Sequence, residues 1–336
     1  MATIKEVAKA AGVSIKTVSR VVNRESSVSD NMRKKVQKVI DNLEYQPNQI
    51  AKMMRQQKSN FVGVIADAAV TTPWATEMIS AINNTLTDAG KIPLILSASI
   101  DNDNFDAQLN NLYLQHVSGI IYATMYHKKI RFDSEIFKDN TVLCNCFDED
   151  NRYSSVVPDD YQGGYDAAQY LIYRGYKNIA YLGITYREVA GKLRHKAFVD
   201  AMENSDLPIH SDWVLFDPPI SDADPYFVAK ASYHLLSGSF RPDAFIVAND
   251  KMALQIWEAA SKLNLKVGKD FAVIGYDDFT PITQNVYPQL TTMRLPHYEL
   301  GEAAANLFLD QTKNTAQQHV LVPCPLVERA SVPLKH

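Results

Sequence analysis

Thr3-Ile4-Lys5-Glu6-Val7-Ala8-Lys9-Ala10-Ala11-Gly12-Val13-Ser14-Ile15-Lys16-Thr17-Val18-Ser19-Arg20-Val21-Val22-Asn23 is the stretch whose reading decides the fold. Thr3 and Glu6 have capping-box spacing, in which each side chain satisfies the other residue's backbone amide at a helix start. Ile4, Val7, Ala8 and Ala11 follow at helical spacing and give a short helix with one apolar stripe. Gly12-Val13 breaks the pattern, and Ser14 is placed to cap a second helix. In that helix Val18, Val21 and Val22 turn inward, at i, i+3 and i+4. Lys16, Arg20 and Asn23 fall on the opposite face, flanked by Ile15, Thr17 and Ser19. A third helix starts at Ser29, with Met32, Val36, Val39, Ile40 and Leu43 as its expected buried stripe.

Two helices packed across a tight glycine turn, the second with a polar and basic outer face, are a helix-turn-helix able to enter a major groove. Arginine and lysine suit guanine O6 and N7, while serine, threonine and asparagine serve phosphates or bases. The plainer alternative is a three-helix domain of any purpose. Charge argues for DNA. Residues 1–58 carry 12 Lys+Arg against 5 Asp+Glu, so a chain of net charge −4 has a basic head on an acidic body.

With Tyr45-Gln46-Pro47-Asn48 added, the order and spacing of these pieces resemble the LacI/GalR family of bacterial transcription regulators. The resemblance implies operator contacts from Thr3, Ser14, Ile15, Lys16, Thr17, Ser19, Arg20 and Asn23. It also implies a hinge that folds on DNA, with Asn48, Met54 and Arg55 at the operator. Met54 stands at the position of the apolar wedge that parts a base step in the minor groove. Read without the resemblance, Gln49 to Lys58 is a polar linker.

From Phe61 onward short apolar runs alternate with helical segments, which argues for parallel sheets covered by helices. Strands are expected at 61–65, 92–97, 119–123, 142–146, 179–182, 244–248 and 272–276. Helices are expected at 74–89, 105–115, 161–174, 193–204, 225–236, 251–263 and 298–311. About 275 residues exceed one comfortable open sheet, so two sheet domains are expected. The fold class is therefore an N-terminal all-α helix-turn-helix headpiece followed by an α/β core. By resemblance that core is two-lobed and like a periplasmic binding protein, with strand crossovers between the lobes. The expected division is 1–46 headpiece, 47–58 hinge and 59–336 effector-binding and dimerisation domain. Within the last, the N-lobe takes about 59–159 and 291–322, and the C-lobe about 160–290 and 323–336.

Ligands of open α/β sheets sit at the carboxyl ends of strands. The resemblance places Trp74, Thr124, Asn145, Asp159, Arg194, Asn249 and Asp277 at the effector cleft. Arg194-His195-Lys196-Ala197-Phe198 resembles the family's Arg-x-x-Gly-Phe, with alanine in the glycine's place. Each residue has an ordinary alternative. Trp74 suits the core as well as a stacking face, and Asp250 suits a helix cap. Arg194 could pair with Asp200 or Glu203 on its own helix, and Asp278 reads as a local partner.

An arginine, several carboxylates and amides, and an indole suit a polyhydroxylated, uncharged ligand. The runs Thr71-Thr72-Pro73 and Tyr122 to His127 resemble a subgroup associated with sucrose-type disaccharides. Cys144-Asn145-Cys146 lacks a second ligand pair and the eight histidines are scattered, so no metal or cofactor is expected. Neither a dinucleotide fingerprint nor a P-loop is present, which argues against those enzyme classes. A sugar-binding protein or an enzyme on the same two-lobed fold is the alternative. Three irregular cysteines and no apolar run of membrane length point to the cytoplasm. The implied partners are operator DNA, a sugar effector and a second copy of the chain, with no membrane.

Overall fold

The structure, a computed structural model, describes residues 2–22, 25, 27–45, 59–67, 73–100, 102–131, 137, 140–186, 188–217, 224–311 and 317–335. The chain forms two compact units, Met1–Asn60 and Phe61–His336.

The first unit has three helices: α1 (Ile4–Ala11), α2 (Ile15–Val22) and α3 (Asp30–Asn42). The capping box forms, with the Glu6 amide donating to Thr3 Oγ1 at 3.4 Å and the Thr3 amide donating to Glu6 Oε2 at 2.7 Å. Gly12 ends α1 at φ +65°, a left-handed turn that residues with a Cβ rarely adopt. Val7, Ala8 and Ala11 meet Val18 and Val21 of α2 and Val36 and Ile40 of α3 in a small core. Leu43 departs from its expected inward position and is 38% exposed. The reason is local: α3 stops at Asn42, and Glu44 turns the backbone at φ +46°. Tyr45 packs against the core instead.

The second unit alternates strand and helix through β1 (Phe61–Ala66), α4 (Pro73–Asp88), β2 (Ile92–Ser97), α5 (Phe105–Leu114), β3 (Ile120–Ile130), β4 (Thr141–Asp148) and β5 (Ser154–Pro158). It continues through α6 (Asp160–Tyr173), β6 (Ile179–Gly183), α7 (Val189–Asn204), β7 (Val214–Phe216), α8 (Phe227–Ser237), β8 (Ala244–Val247), α9 (Asp250–Lys262), β9 (Ala272–Asp277) and α10 (Thr280–Thr283). Last come β10 (Thr291–Arg294), α11 (His297–Gln311), β11 (His319–Val322) and β12 (Leu326–Val327).

These strands make two six-stranded sheets. The first has the order β11-β5-β4-β3-β1-β2, and every pair in it is parallel. The second has the order β12-β10-β9-β8-β6-β7 and is parallel except for β12 against β10. Buried apolar side chains pack on both faces of each sheet, as parallel strands covered by helices require.

The chain passes from the first sheet to the second after β5, returns after β10 and crosses again between β11 and β12. One boundary differs from expectation. Residues 291–294, assigned to the N-lobe, form β10 and pair in parallel with β9 of the second sheet. The exchange therefore follows Arg294, because Thr291 to Arg294 complete a ladder that the Gly275-Tyr276-Asp277 edge leaves open. Strands β5, β7, β10, β11 and β12, of two to five residues, were not among the expected ones, being too brief for a periodic signal.

Ala197, at the glycine position of the resembled motif, fits because α6 presents glycine to it. A Cβ built on Gly164 would stand 3.0 Å from the Ala197 Cβ and 2.9 Å from the Arg194 Cα. The close approach of α6 and α7 that seats Arg194 is thus shared between the two positions.

Candidate functional sites

On the first unit, Ser14 caps α2: its Oγ accepts from the Thr17 amide at 3.1 Å and lies 2.9 Å from Thr17 Oγ1. Ile15 and Lys16 are exposed, and Thr17, Ser19 and Arg20 are part-exposed along the same helix. Arg20 Nε lies 3.6 Å from Glu25 Oε2, an open surface pair that a stronger anion can displace. Thr3 is exposed at the start of α1. These residues form a polar, basic face whose apolar counterpart is the helical core. Asn23, Asn48, Met54 and Arg55 lie outside the described residues.

In the second unit a cavity of about 510 Å³ opens between the two sheets. Its first wall is a bulge in β3. The register with β4 runs to Ala123↔Cys144 and resumes at Lys128↔Cys146, so four residues of β3 stand against Asn145 alone. Extra residues in one strand bend it and re-aim its side chains. Met125, Tyr126 and His127 line the cavity. Asp67 holds both flanks, accepting from the Met125 amide at 3.0 Å and from Lys128 Nζ at 2.8 Å.

Asn145 lines the cavity at φ +58°, with its Nδ2 donating to the Thr124 carbonyl at 3.1 Å. Thr124 is a correction. It is fully buried and its hydroxyl is engaged with the carbonyls of Asn145 at 2.9 Å and Tyr126 at 3.0 Å, so it braces the bulge and does not face the cleft.

The second wall is built on Arg194. Its Nε and Nη2 each lie 2.7 Å from Asp160 Oδ1, Nη1 donates to the Ala248 carbonyl at 2.8 Å, and its Cζ sits 3.5 Å over the Tyr276 ring. The expected alternative partners do not hold it; Asp200 instead takes Lys196 and the Tyr161 hydroxyl. Asp159 is the second correction. It caps α6, accepting from the Gln162 amide at 2.9 Å, and the neighbouring Asp160 lines the cavity. With β5 ending at Pro158 and a helix beginning at once, the cap falls on Asp159 and the cleft position on the first helical residue.

Asn249 caps α9, accepting from the Met252 amide at 2.8 Å, and also lines the cavity. Asp250, read as cap or ligand, is neither. It is fully buried and accepts from Thr292 Oγ1 and from the Phe279 amide, both at 2.7 Å. It thereby ties α9 to β10 and to the turn that follows Asp277. Burial pushes the Asp250 carboxyl up to about 7. Asp278 does serve locally, paired with Arg329 at 2.6 Å.

Asp277 lines the cavity at φ +110°, a strained backbone for a residue with a Cβ. Among the described residues nothing hydrogen-bonds its carboxyl. Burial pushes that carboxyl up to about 8, against the pull of Arg194 and with help from the Asp250 and Asp160 carboxylates. Burial likewise lowers the imidazole of His297, another lining residue, to about 4, so it is neutral at ordinary pH. The backbone of Trp74 lies in the first turn of α4, and its side chain lies outside the described residues.

The sequence reading missed several cleft residues, among them His127, Asp160, His297 and the acids Glu188 and Asp217. A histidine inside a strand carries no pattern, and its aim depends on a bulge visible only in the ladder. Asp160 had a signal, since it opens the helix at the carboxyl end of β5, where ligands of open α/β sheets sit. Among the described residues no group of His, Cys, Asp or Glu is arranged to hold a metal. Cys144, Cys146 and Cys324 are buried free thiols.

Comparison with known proteins adds three findings. The family of bacterial regulatory proteins, lacI family, matches residues 3–48, and the periplasmic binding protein-like domain matches residues 168–332. The HTH-type transcriptional repressor PurR of Yersinia pestis is 30% identical over 337 residues, covering 99% of this chain and 97% of the relative. Among solved structures, a putative LacI-family regulator from Rhizobium etli is 29% identical at TM-score 0.75, covering 82% of this chain and all of the other. The lac repressor dimer bound to operator and an anti-inducer superposes at TM-score 0.79 with 24% identity, covering 99% of each chain. No described helix is long and apolar enough to cross a membrane.

Proposed function

The chain belongs to the lacI family of bacterial regulatory proteins and is a DNA-binding transcriptional repressor with an effector-binding domain, not an enzyme, and from that premise we propose that its effector is a small uncharged sugar, such as a sucrose-type disaccharide. The observation that carries this is the state of Arg194. Its guanidinium is already matched by Asp160, the Ala248 carbonyl and the Tyr276 face. An anionic ligand would meet a cation whose charge is neutralised, beside the Asp277 carboxyl and the lining acids Glu188 and Asp217. A ligand rich in hydroxyls, each both donor and acceptor, meets groups that also do both: the protonated Asp277 carboxyl and the Asn145 and Asn249 amides. A relative of the same fold, the regulator CelR, has been solved with cellobiose.

On DNA the protein acts as a homodimer on a pseudo-palindromic operator, in the cytoplasm where that DNA lies. One α2 reads one half-site, so two-fold symmetry is the economical way to read a whole site. Effector and operator are linked through the body. A sugar alters DNA affinity only by binding the two states unequally, with a coupling of about 1–3 kcal/mol. The test is fluorescence anisotropy of the purified protein on its own upstream DNA at fixed salt, with and without mono- and disaccharides. A several-fold change with one sugar supports the reading. Operator binding that ignores every sugar but responds to an anionic metabolite would remove it.

A further inference from the structure

One contact joins the two walls of the cleft directly. His127 belongs to β3 of the first sheet and Asp160 opens α6 beside the second, and His127 Nδ1 lies 2.7 Å from Asp160 Oδ2. Both are buried, at 7% and 0% exposure. The other oxygen of Asp160 takes two nitrogens of Arg194 at 2.7 Å each. Burial opposes charge on Asp160, but the Arg194 guanidinium and the His127 hydrogen bond outweigh it and hold the carboxyl below its usual range.

An ionised carboxylate only accepts hydrogen bonds. The proton between the two groups therefore sits on Nδ1, and in a neutral imidazole this leaves Nε2 as an acceptor. The ring is held from several sides. It meets Phe147 edge-on at 5.8 Å, and the bulge that carries it is pinned at both flanks by Asp67. His127 is also among the residues lining the cavity.

We propose that His127 orients the effector: Asp160 locks its ring in the Nδ1–H tautomer, and Nε2 accepts a hydrogen bond from an effector hydroxyl. The inference rests on the sugar reading above and extends it to a rule of specificity. The group at this point of the ligand must be a donor; a carbonyl or phosphate oxygen there meets a second acceptor. Asp277, whose carboxyl burial raises to about 8, keeps its proton at neutral pH and offers a hydroxyl both a donor and an acceptor from the other wall. A ligand with hydroxyls for both joins the first lobe to the second, and Asp160 already stands one residue past the crossover at Asp159.

The test has two readouts on the full-length protein. The first is the nitrogen-15 spectrum of the His127 ring without ligand, assigned by its loss in His127→Asn. A protonated Nδ1 and a bare Nε2 are expected, and Asp160→Asn shifts the ring toward the Nε2–H form. The second is calorimetric titration with glucose, galactose, sucrose and cellobiose. His127→Asn keeps a donor for Asp160 but removes Nε2, and binds whichever sugar the wild type binds roughly tenfold more weakly, the worth of one good hydrogen bond. An Nε2–H ring or a doubly protonated ring at neutral pH overturns the proposal, as does wild-type sugar affinity in His127→Asn. If that variant loses its melting transition, the wild-type tautomer and its response to Asp160→Asn decide. If no sugar in the panel binds the wild type, the sugar reading fails, while the ring's tautomer still upholds or overturns the lock.

Discussion

Arg20 and Asp277 show how differently two charged residues are held. Arg20 faces solvent with a loose partner in Glu25, so DNA can recruit it at small cost. Arg20→Ala is expected to weaken operator binding by about 1–3 kcal/mol and to relax preference at one base pair. Anisotropy on single-base operator variants checks this; an equal loss on all DNA makes Arg20 a phosphate contact. Asp277 is instead held without a hydrogen-bond partner, its carboxyl raised to about 8 by burial first. Asp277→Ala is expected to abolish the sugar response, read as the ratio of operator affinities with and without sugar.

The raised carboxyl also has a pH signature. The folded protein binds a proton at Asp277 that the unfolded chain releases near pH ~4. Between about pH 4 and the folded value of about 8 the native state holds more protons, so this group's contribution to stability declines as pH rises through that window. Asp277→Asn removes the dependence. Its melting temperature is expected to gain on the wild type between about pH 5 and pH 9, and a constant gap would show that Asp277 ionises freely.

At the scale of elements, the bulge of β3 positions the first wall, and Asp67 positions the bulge. Asp67→Ala leaves the Met125 amide without its acceptor, a loss of about 1–3 kcal/mol when a buried donor is orphaned. The expected result is a lower melting temperature together with weaker sugar binding. A melting shift with sugar affinity intact would mean that the bulge keeps its shape unaided. The hinge expected at Asn48 to Lys58 yields its own test: Met54→Gly is expected to reduce operator bending and affinity, measured by circularisation of short DNA.

Legibility in the sequence follows the range of the interactions. The headpiece was readable because its signals are local: a capping box, a glycine turn and stripes that repeat within one helix. Strands β1, β2, β3, β4, β6, β8 and β9 were readable as apolar runs. The short strands β5, β7, β10, β11 and β12 were not, since their existence depends on a partner elsewhere in the chain, as β11 depends on β5. The cleft was half readable. Arg194, Asn145, Asn249 and Asp277 stand at strand ends or in a motif, and the structure brings all four to one cavity. Thr124 and Asp159 were each misplaced by local geometry that no pattern encodes, a bulge in one case and the identity of a cap in the other. His127 was missed because its role exists only where two lobes face each other.

For the whole molecule, the basic head and acidic body separate two tasks. Operator affinity is expected to fall steeply with salt, since phosphate contacts release counterions, whereas binding of an uncharged sugar is not. The three passages of chain between the sheets have a bearing on synthesis as well. The headpiece is a compact unit of the first sixty residues and needs nothing downstream to build its core. The first sheet, by contrast, receives its edge strand β11 only after the second sheet's strands through β10 have been made. A ribosome halted anywhere in that interval leaves a reader of DNA attached to an unfinished receptor. Chains cut short in that interval would keep the headpiece's core but lack the strand that completes the first sheet, so the order of translation makes the receptor the last part of the molecule to be finished.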